Sequence, residues 1–294
     1  MPSLRDIRKH INSVKSIKQI TYAMKMVAAA RIKKAQNSML ASRPFAIKMD
    51  EMLSKLYAEM RGEDFKRAST YDLFVNNNDK NKIGLVLITS DKGLCGSFNS
   101  NLIKKTLNFI KENKDKKIYF ISVGKKGRDF IKRIKDINME ISYEMIGIFP
   151  KVNYIHSNLL SENIIKMYRE KKISRVHIIY NEFKSMIKQE IKEYLFLPLE
   201  YKFNPNKDNT DFYFEPDKIT LMEGLLIRYI NSQVYRILLE SQAAELSARM
   251  NAMENASENA GELIDALSLK MNKTRQAMIT TELTEIVGGA SSLE

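Results

Sequence analysis

From Asp217 to Val287 the chain runs 71 residues without a proline and with only two glycines, Gly224 and Gly261. Written as one helix at about 1.5 Å per residue, that stretch would be about 105 Å long. Propensity alone does not hold up so long a helix in water; most of its stability has to come from packing of an apolar face. Any fold open to this chain must therefore give the helix a partner along most of its length.

The N-terminal segment is the candidate. Small or apolar residues recur at Leu4, Ile7, Ile11, Val14, Ile17, Ile20, Met24, Ala28, Ile32, Ala35 and Met39. Their mean spacing is about 3.5 residues, the period of a coiled coil and not the 3.6 of a straight amphipathic helix. Ser3-x-x-Asp6 offers a capping-box start. Pro44 predicts a kink or interruption near residues 41–43. Phe45, Ile47, Met49, Met52, Leu53 and Leu56 then carry the pattern to Arg61, with Gly62 as a stop. At the other end, Glu215-Pro216-Asp217 suits a helix start, with proline in the first turn and acids at the positive end of the dipole.

A helix over 1–61 and a second over 217–290 are thus expected to pair antiparallel. Their charges favour it: residues 1–48 carry eleven Lys/Arg against Asp6 alone, while residues 217–294 carry seven against eleven acids. A helix of about 55 residues spans about 80 Å, so the longer one should overhang. If both root in what lies between them, the overhang is the C-terminal tip. Its Ala277, Met278, Ile279, Leu283, Ile286 and Val287 need a sheath from another protein. Further back, Ala244, Ala248, Ala252, Ala256 and Ala260 recur every fourth residue, marking a face open to close backbone approach.

Between the helices the grammar changes. Ile83–Thr89 is a short continuous apolar run, as in a strand buried on both faces. Helices at 101–112, 126–134 and 158–169 alternate with strands at 117–124, 138–146, 173–180 and 185–198. That order predicts an inserted Rossmann-like α/β domain over 83–203 with a mainly parallel sheet. Asn76–Lys82 and Phe203–Asp211 are polar connections. The fold class read here is α/β: a long antiparallel coiled coil plus an inserted sheet domain.

Catalytic constellations are missing from the sequence. His10, His156 and His177 have no metal-ligand spacing with each other or with Cys95, the only cysteine. His177 lies in an apolar strand and reads as a core residue. The loop Ser90-Asp91-Lys92-Gly93-Leu94-Cys95-Gly96 follows a strand and precedes a helix, where phosphate can be cradled. It has neither the GxxxxGK[ST] nor the GxGxxG spacing. No cofactor or metal is expected. The first residues, MPSLRDIRKH, lack the apolar core of a signal peptide.

Three stretches together resemble the gamma-subunit family of the F-type rotary ATP synthase. They are ITYAMKMVAAARIKKAQ (Ile20–Gln36) followed by ASRPFA (Ala41–Ala46), ITSDKGLCGSFN (Ile88–Asn99), and RQAMITTELTEIVGGA (Arg275–Ala290). The resemblance runs over essentially the whole chain. It implies a non-catalytic central-stalk rotor that couples turning of an ion-driven c-ring to ATP synthesis. It also implies alpha, beta and epsilon subunits and the c-ring as partners, no nucleic acid, and peripheral attachment at the cytoplasmic face of a bacterial plasma membrane. By matching positions, rotor–stator contacts fall on Met24, Lys25, Lys92, Arg249, Arg275, Gln276, Thr280 and Glu282. The cysteine-bearing insertion of plastid relatives is missing, so thiol control is not implied. Two other readings stay open on residues alone: a nucleic-acid-binding coiled coil, from the basic N-terminal helix, and a nucleotide-binding enzyme on the α/β domain.

Overall fold

The structure is a computed structural model that describes residues 3–60, 66–75, 81–134, 138–149, 151–199 and 215–291. The expected stop at Gly62, most of the 76–82 loop and the 203–211 connection lie outside the described residues. Packing groups the chain into two compact units: residues up to Ala29 with those from Arg249 onward, and Ala30–Ala248. Helix α1 (Leu4–Glu59) and helix α5 (Lys218–Ser291) each contribute to both.

α1 is continuous for 56 residues, with Pro44 inside it. Of the expected kink or interruption, the interruption does not occur. Proline deprives the carbonyl at position 40 of its N–H partner, but Leu40 and Pro44 are both exposed, where water can substitute. The start is as read: the Asp6 carboxylate accepts the Ser3 N–H and hydroxyl, and the Asp6 N–H returns to Ser3 Oγ at 3.2 Å.

The larger unit is built on a five-stranded sheet ordered β3-β2-β1-β4-β5. Its strands are β1 (Lys82–Ile88), β2 (Lys117–Val123), β3 (Met139–Met145), β4 (Arg175–Phe183) and β5 (Gln189–Leu197). The first four are parallel, and β5 runs antiparallel to β4 at the edge. Alternate residues of β1 serve opposite faces. Ile83, Leu85 and Leu87 pack with α2 (Phe98–Glu112) through Phe98, Leu102 and Phe109. Val86 and Ile88 pack with α4 (Tyr154–Arg169) and with α1 and α5, through Leu160, Ile164, Leu53, Leu56, Leu226 and Ile230. Burial on both faces is why this strand reads as an unbroken apolar run. Each fully buried side chain of this size contributes roughly 1.5–3 kcal/mol relative to exposure.

Helix starts fall a few residues earlier than the apolar pattern suggests. α2 begins at Phe98, not Asn101, and α4 at Tyr154, not Asn158. At α4 the reason is a reciprocal cap in which His156 Nδ1 accepts the Asn153 N–H at 3.1 Å. Histidine stands where a glutamate or glutamine would have signalled the motif. Between β2 and β3 lies the short α3 (Lys125–Ile131).

Within this unit α5 is buried on all sides from Ile237 to Ser247. Ile237, Leu238 and Leu239 join one core and Ala244 the other. At its root, Lys218 pairs with Glu59 at 2.9 Å, so α1 ends where α5 begins.

In the smaller unit, Lys25 meets Glu254 and Lys18 lies against Gly261, an antiparallel order. Ile7, Ile11, Val14 and Ala28 are buried along the expected seam, but Ile17 and Ile20 are 52% and 59% exposed. There the seam passes through Lys18, which lies against Gly261, and Thr21 and Lys25, which are half-buried, so Ile17 and Ile20 fall to its side. The alanine series is not one contact zone: Ala244 joins the sheet-domain core with Ala248 packed against it, whereas in the smaller unit the buried positions are Met253, Ser257 and Ala260, with Ala252 and Ala256 half-buried.

Candidate partner-contact surfaces

Asp91 organises the loop that a sequence reader would test first for phosphate. Its Oδ1 accepts the N–H of Lys125 at 3.1 Å and of Gly147 at 3.0 Å, and its Oδ2 accepts that of Phe149 at 3.1 Å. These backbone donors, at the carboxyl ends of parallel strands, are what a phosphate would use in a doubly wound sheet. Here a carboxylate of the chain already holds these three donors, which are therefore not open to an anion.

The remainder of the loop is locked from within. Ser90 Oγ donates to the Lys92 carbonyl at 2.6 Å, and Asn99 Nδ2 reaches Ser90 Oγ at 2.7 Å and Cys95 Sγ at 3.1 Å. Cys95 is buried. Gly124, at φ +91°, lies so close to Thr89 that a Cβ would fall 2.1 Å from its carbonyl oxygen. What the rigid loop displays is Leu94, 66% exposed and at φ +65°, with Lys92, Lys125 and Lys126 exposed around it. Such a tip suits an acidic partner surface with an apolar centre.

The other expected contact residues lie in the smaller unit and form two groups. Met24 and Lys25 are half-buried, and the Lys25 ammonium lies 2.5 Å from Glu254 Oε1. The Glu254 hydrogen bond holds the Lys25 pKa above its ordinary value against desolvation, with Glu254, Tyr22 and Glu258 adding charge attraction. Arg249 is also half-buried. Arg275, Gln276, Thr280 and Glu282 belong to the second group, where every residue from Arg275 to Gly288 is helical and exposed. Thr280 Oγ1 donates back to the Gln276 carbonyl at 2.9 Å. Lys92 belongs with the Asp91 loop in the larger unit. Sequence reading missed Glu254 and Asp91; antiparallel register could have found the first, and nothing local marks the second.

His177 is mostly buried, its ring centroid 5.0 Å from that of Phe109 and its Nδ1 3.5 Å from Glu193 Oε1. Burial lowers its pKa from 6.5, with Arg175 and Lys116 adding to the effect and Glu193 opposing it. Among the described residues no group of His, Cys, Asp and Glu could hold a metal ion. Among the same residues no helix is long and apolar enough to cross a membrane.

Paired terminal helices, a Rossmann-like sheet whose Asp91 occupies three backbone donors at its strand ends, and an exposed apolar tip suit a protein that works by contact with other proteins. The family model described as ATP synthase matches residues 3–293. The ATP synthase gamma chain of Elusimicrobium minutum is 46% identical over 100% of this chain and 99% of its own. That of Desulfitobacterium hafniense is 39% identical over 100% of both. The central stalk/c-ring structure of the Tetrahymena thermophila mitochondrial ATP synthase matches with TM-score 0.60 and 28% identity, covering 81% of this chain and 99% of that one. A chain of the Euglena gracilis mitochondrial ATP synthase (OSCP/F1/c-ring) matches with TM-score 0.68, covering 99% and 94%. At 22% identity, that second likeness bears on fold alone.

The chain belongs to the ATP synthase gamma-chain family. Membership makes it a non-catalytic rotor subunit of the F-type ATP synthase, peripheral to the membrane.

Proposed function

We propose that the chain is the shaft that carries rotation from a c-ring to a surrounding ring of alpha and beta subunits. Its paired helices over 1–61 and 217–290 form the shaft, and the sheet domain over 83–203 is the foot that meets epsilon and the c-ring. The contacts with the ring are Met24, Lys25, Arg249, Arg275, Gln276, Thr280 and Glu282, with Lys92 meeting an acidic element of the catalytic subunits. Polar contacts of this kind transmit work only through the difference in their strength between rotary states. The site of action in this reading is the cytoplasmic face of a bacterial plasma membrane.

One observation carries the reading: the apolar tip is helical yet exposed, with Leu283, Ile286 and Val287 at 58%, 68% and 66%. Such a surface is expected to be covered by a partner. The experiment is affinity purification of the tagged chain from its own cells, with mass identification and ATP-driven ion pumping of the recovered complex. Alpha, beta, epsilon and c subunits are expected, with pumping reduced more by joint Thr280→Ala and Glu282→Ala replacement than by truncation after Val287. Recovery without those subunits, or negligible loss from the replacement, contradicts it.

A further inference from the structure

Arg5, Arg8, Lys9, Asn12, Ser13 and Ser16 line an open groove of about 440 Å³ on α1. They form two adjacent i, i+4 rows, Arg5–Lys9–Ser13 and Arg8–Asn12–Ser16. The trough between such rows is where a ridge of another helix seats. At 3.6 residues per turn these rows point about 160° away from Ile7, Ile11 and Val14, the residues buried in the seam. The groove is therefore on the outward side of the helix.

Its charge is unusual for its place. Three cations stand in the first two turns, at the positive end of the helix dipole, where cations are disfavoured. The one acid nearby, Asp6, is engaged by Ser3. Among the described residues, Arg5, Arg8 and Lys9 have no ion pair. Ser13 and Ser16 turn their hydroxyl protons back onto the carbonyls of Lys9 and Asn12, both at 3.1 Å. The groove thus presents three charged donors at one end and a small, neutral end at the other. No large apolar side chain lines it.

We infer that this groove docks an acidic protein segment, whose carboxylates seat on Arg5, Arg8 and Lys9. The inference rests on the rotor reading, in which the outward side of the shaft faces a protein ring. Charge complementarity selects the occupant. The same two rows continue into exposed Ile17 and Ile20, an apolar extension that suits a protein surface better than a polyanion backbone.

Zero-length carbodiimide coupling of the purified complex tests it, because the reagent joins an ammonium to a carboxylate only in direct contact. Peptide mapping is expected to find Lys9 amide-linked to an Asp or Glu of a companion subunit. The link should vanish in Lys9→Arg and weaken severalfold in Arg5→Gln/Arg8→Gln or at high salt. An intact complex whose other lysines couple to companions while Lys9 does not would overturn the groove and leave the rotor reading standing. So would a Lys9 link to this chain or to a second copy of it. Purification without companion proteins removes the rotor reading first, and the groove's occupant with it.

Discussion

Removing Arg236 should unfold the sheet domain more readily than any other single charge deletion on α5. Its Nη1 donates to Glu240 Oε1 at 2.7 Å, one turn further along the helix. Glu240 is 8% exposed, and its Oε2 has no hydrogen-bond partner. Burial opposes the Arg236 charge, but Glu240, Tyr180 and Tyr194 together outweigh it, so the guanidinium is held above its ordinary value. Burial, with Glu240, also pushes the neighbouring Tyr180 phenol up. Breaking a buried pair by deleting one partner costs about 3–5 kcal/mol, because the survivor stays charged without compensation. The Arg236 side chain is 33% exposed and that of Glu240 11%, so the two deletions are unequal. Arg236→Met strands the drier group and should cost about 3 kcal/mol, the low end of that range. Glu240→Gln keeps a neutral acceptor for Arg236 and should cost about 1 kcal/mol. Replacing both, Arg236→Met with Glu240→Leu, should fall within about 1 kcal/mol of the parent, since a buried pair is seldom better than packed hydrophobes. Urea unfolding followed by far-UV circular dichroism reads all four chains. A double variant as unstable as the summed single losses, or an Arg236→Met loss below about 1 kcal/mol, refutes the reasoning.

Two further outcomes follow from named contacts. Lys25→Glu and Glu254→Lys should each lower the urea midpoint by bringing like charges together in the smaller unit, where the parent pair is 2.5 Å apart, whereas the double exchange should restore it. No recovery in the exchange would show that Lys25 acts through another group. For His177, the folded-state pKa lies below 6.5 through burial. Its neutral form contributes stability that is present above 6.5 and lost as pH falls through the folded value. Urea midpoints measured across mildly acidic pH should therefore drop more steeply for the parent than for His177→Gln; parallel slopes would remove the histidine from the account.

Periodicity exposed the large elements because each has one dominant environment. The β1 run was legible throughout, and the α1 seam was legible except at Ile17 and Ile20, which are exposed. At Pro44 the expectation of an interruption failed because propensity counts the lost hydrogen bond but cannot see that the freed carbonyl is on an exposed stretch. The Asn153–His156 cap and the antiparallel β5 edge depend on side-chain geometry and on sheet order, which no local pattern encodes. Among site residues, the exposed tip of Arg275–Glu282 was legible as apolar surface without a partner. The Lys25–Glu254 pair joins residues 229 positions apart, and the Asp91 carboxylate is bound by donors 34, 56 and 58 positions away. Neither can be read without register and topology.

α5 changes environment along its length, and its composition changes in step. Where it is buried on all sides, Ile237–Leu239 supply bulk and Ser241, Ala243, Ala244 and Ser247 let other backbones approach. From Met253 to Ala260 only one side is covered, and the residues at buried positions recur as Met253, Ser257 and Ala260, an i, i+4, i+7 stripe. From Arg275 to Gly288 nothing is buried, yet Met278, Ile279, Leu283, Ile286 and Val287 remain. Thr280, Thr281 and Thr284 are β-branched and lower helix propensity there. A segment with apolar side chains, weak propensity and no burial gains little from its own chain. Its stability has to come from surfaces outside it, so the tip's order is coupled to whatever encloses it. For the tip contacts proposed above, made in one rotary state and released in the next, that coupling is the physical requirement.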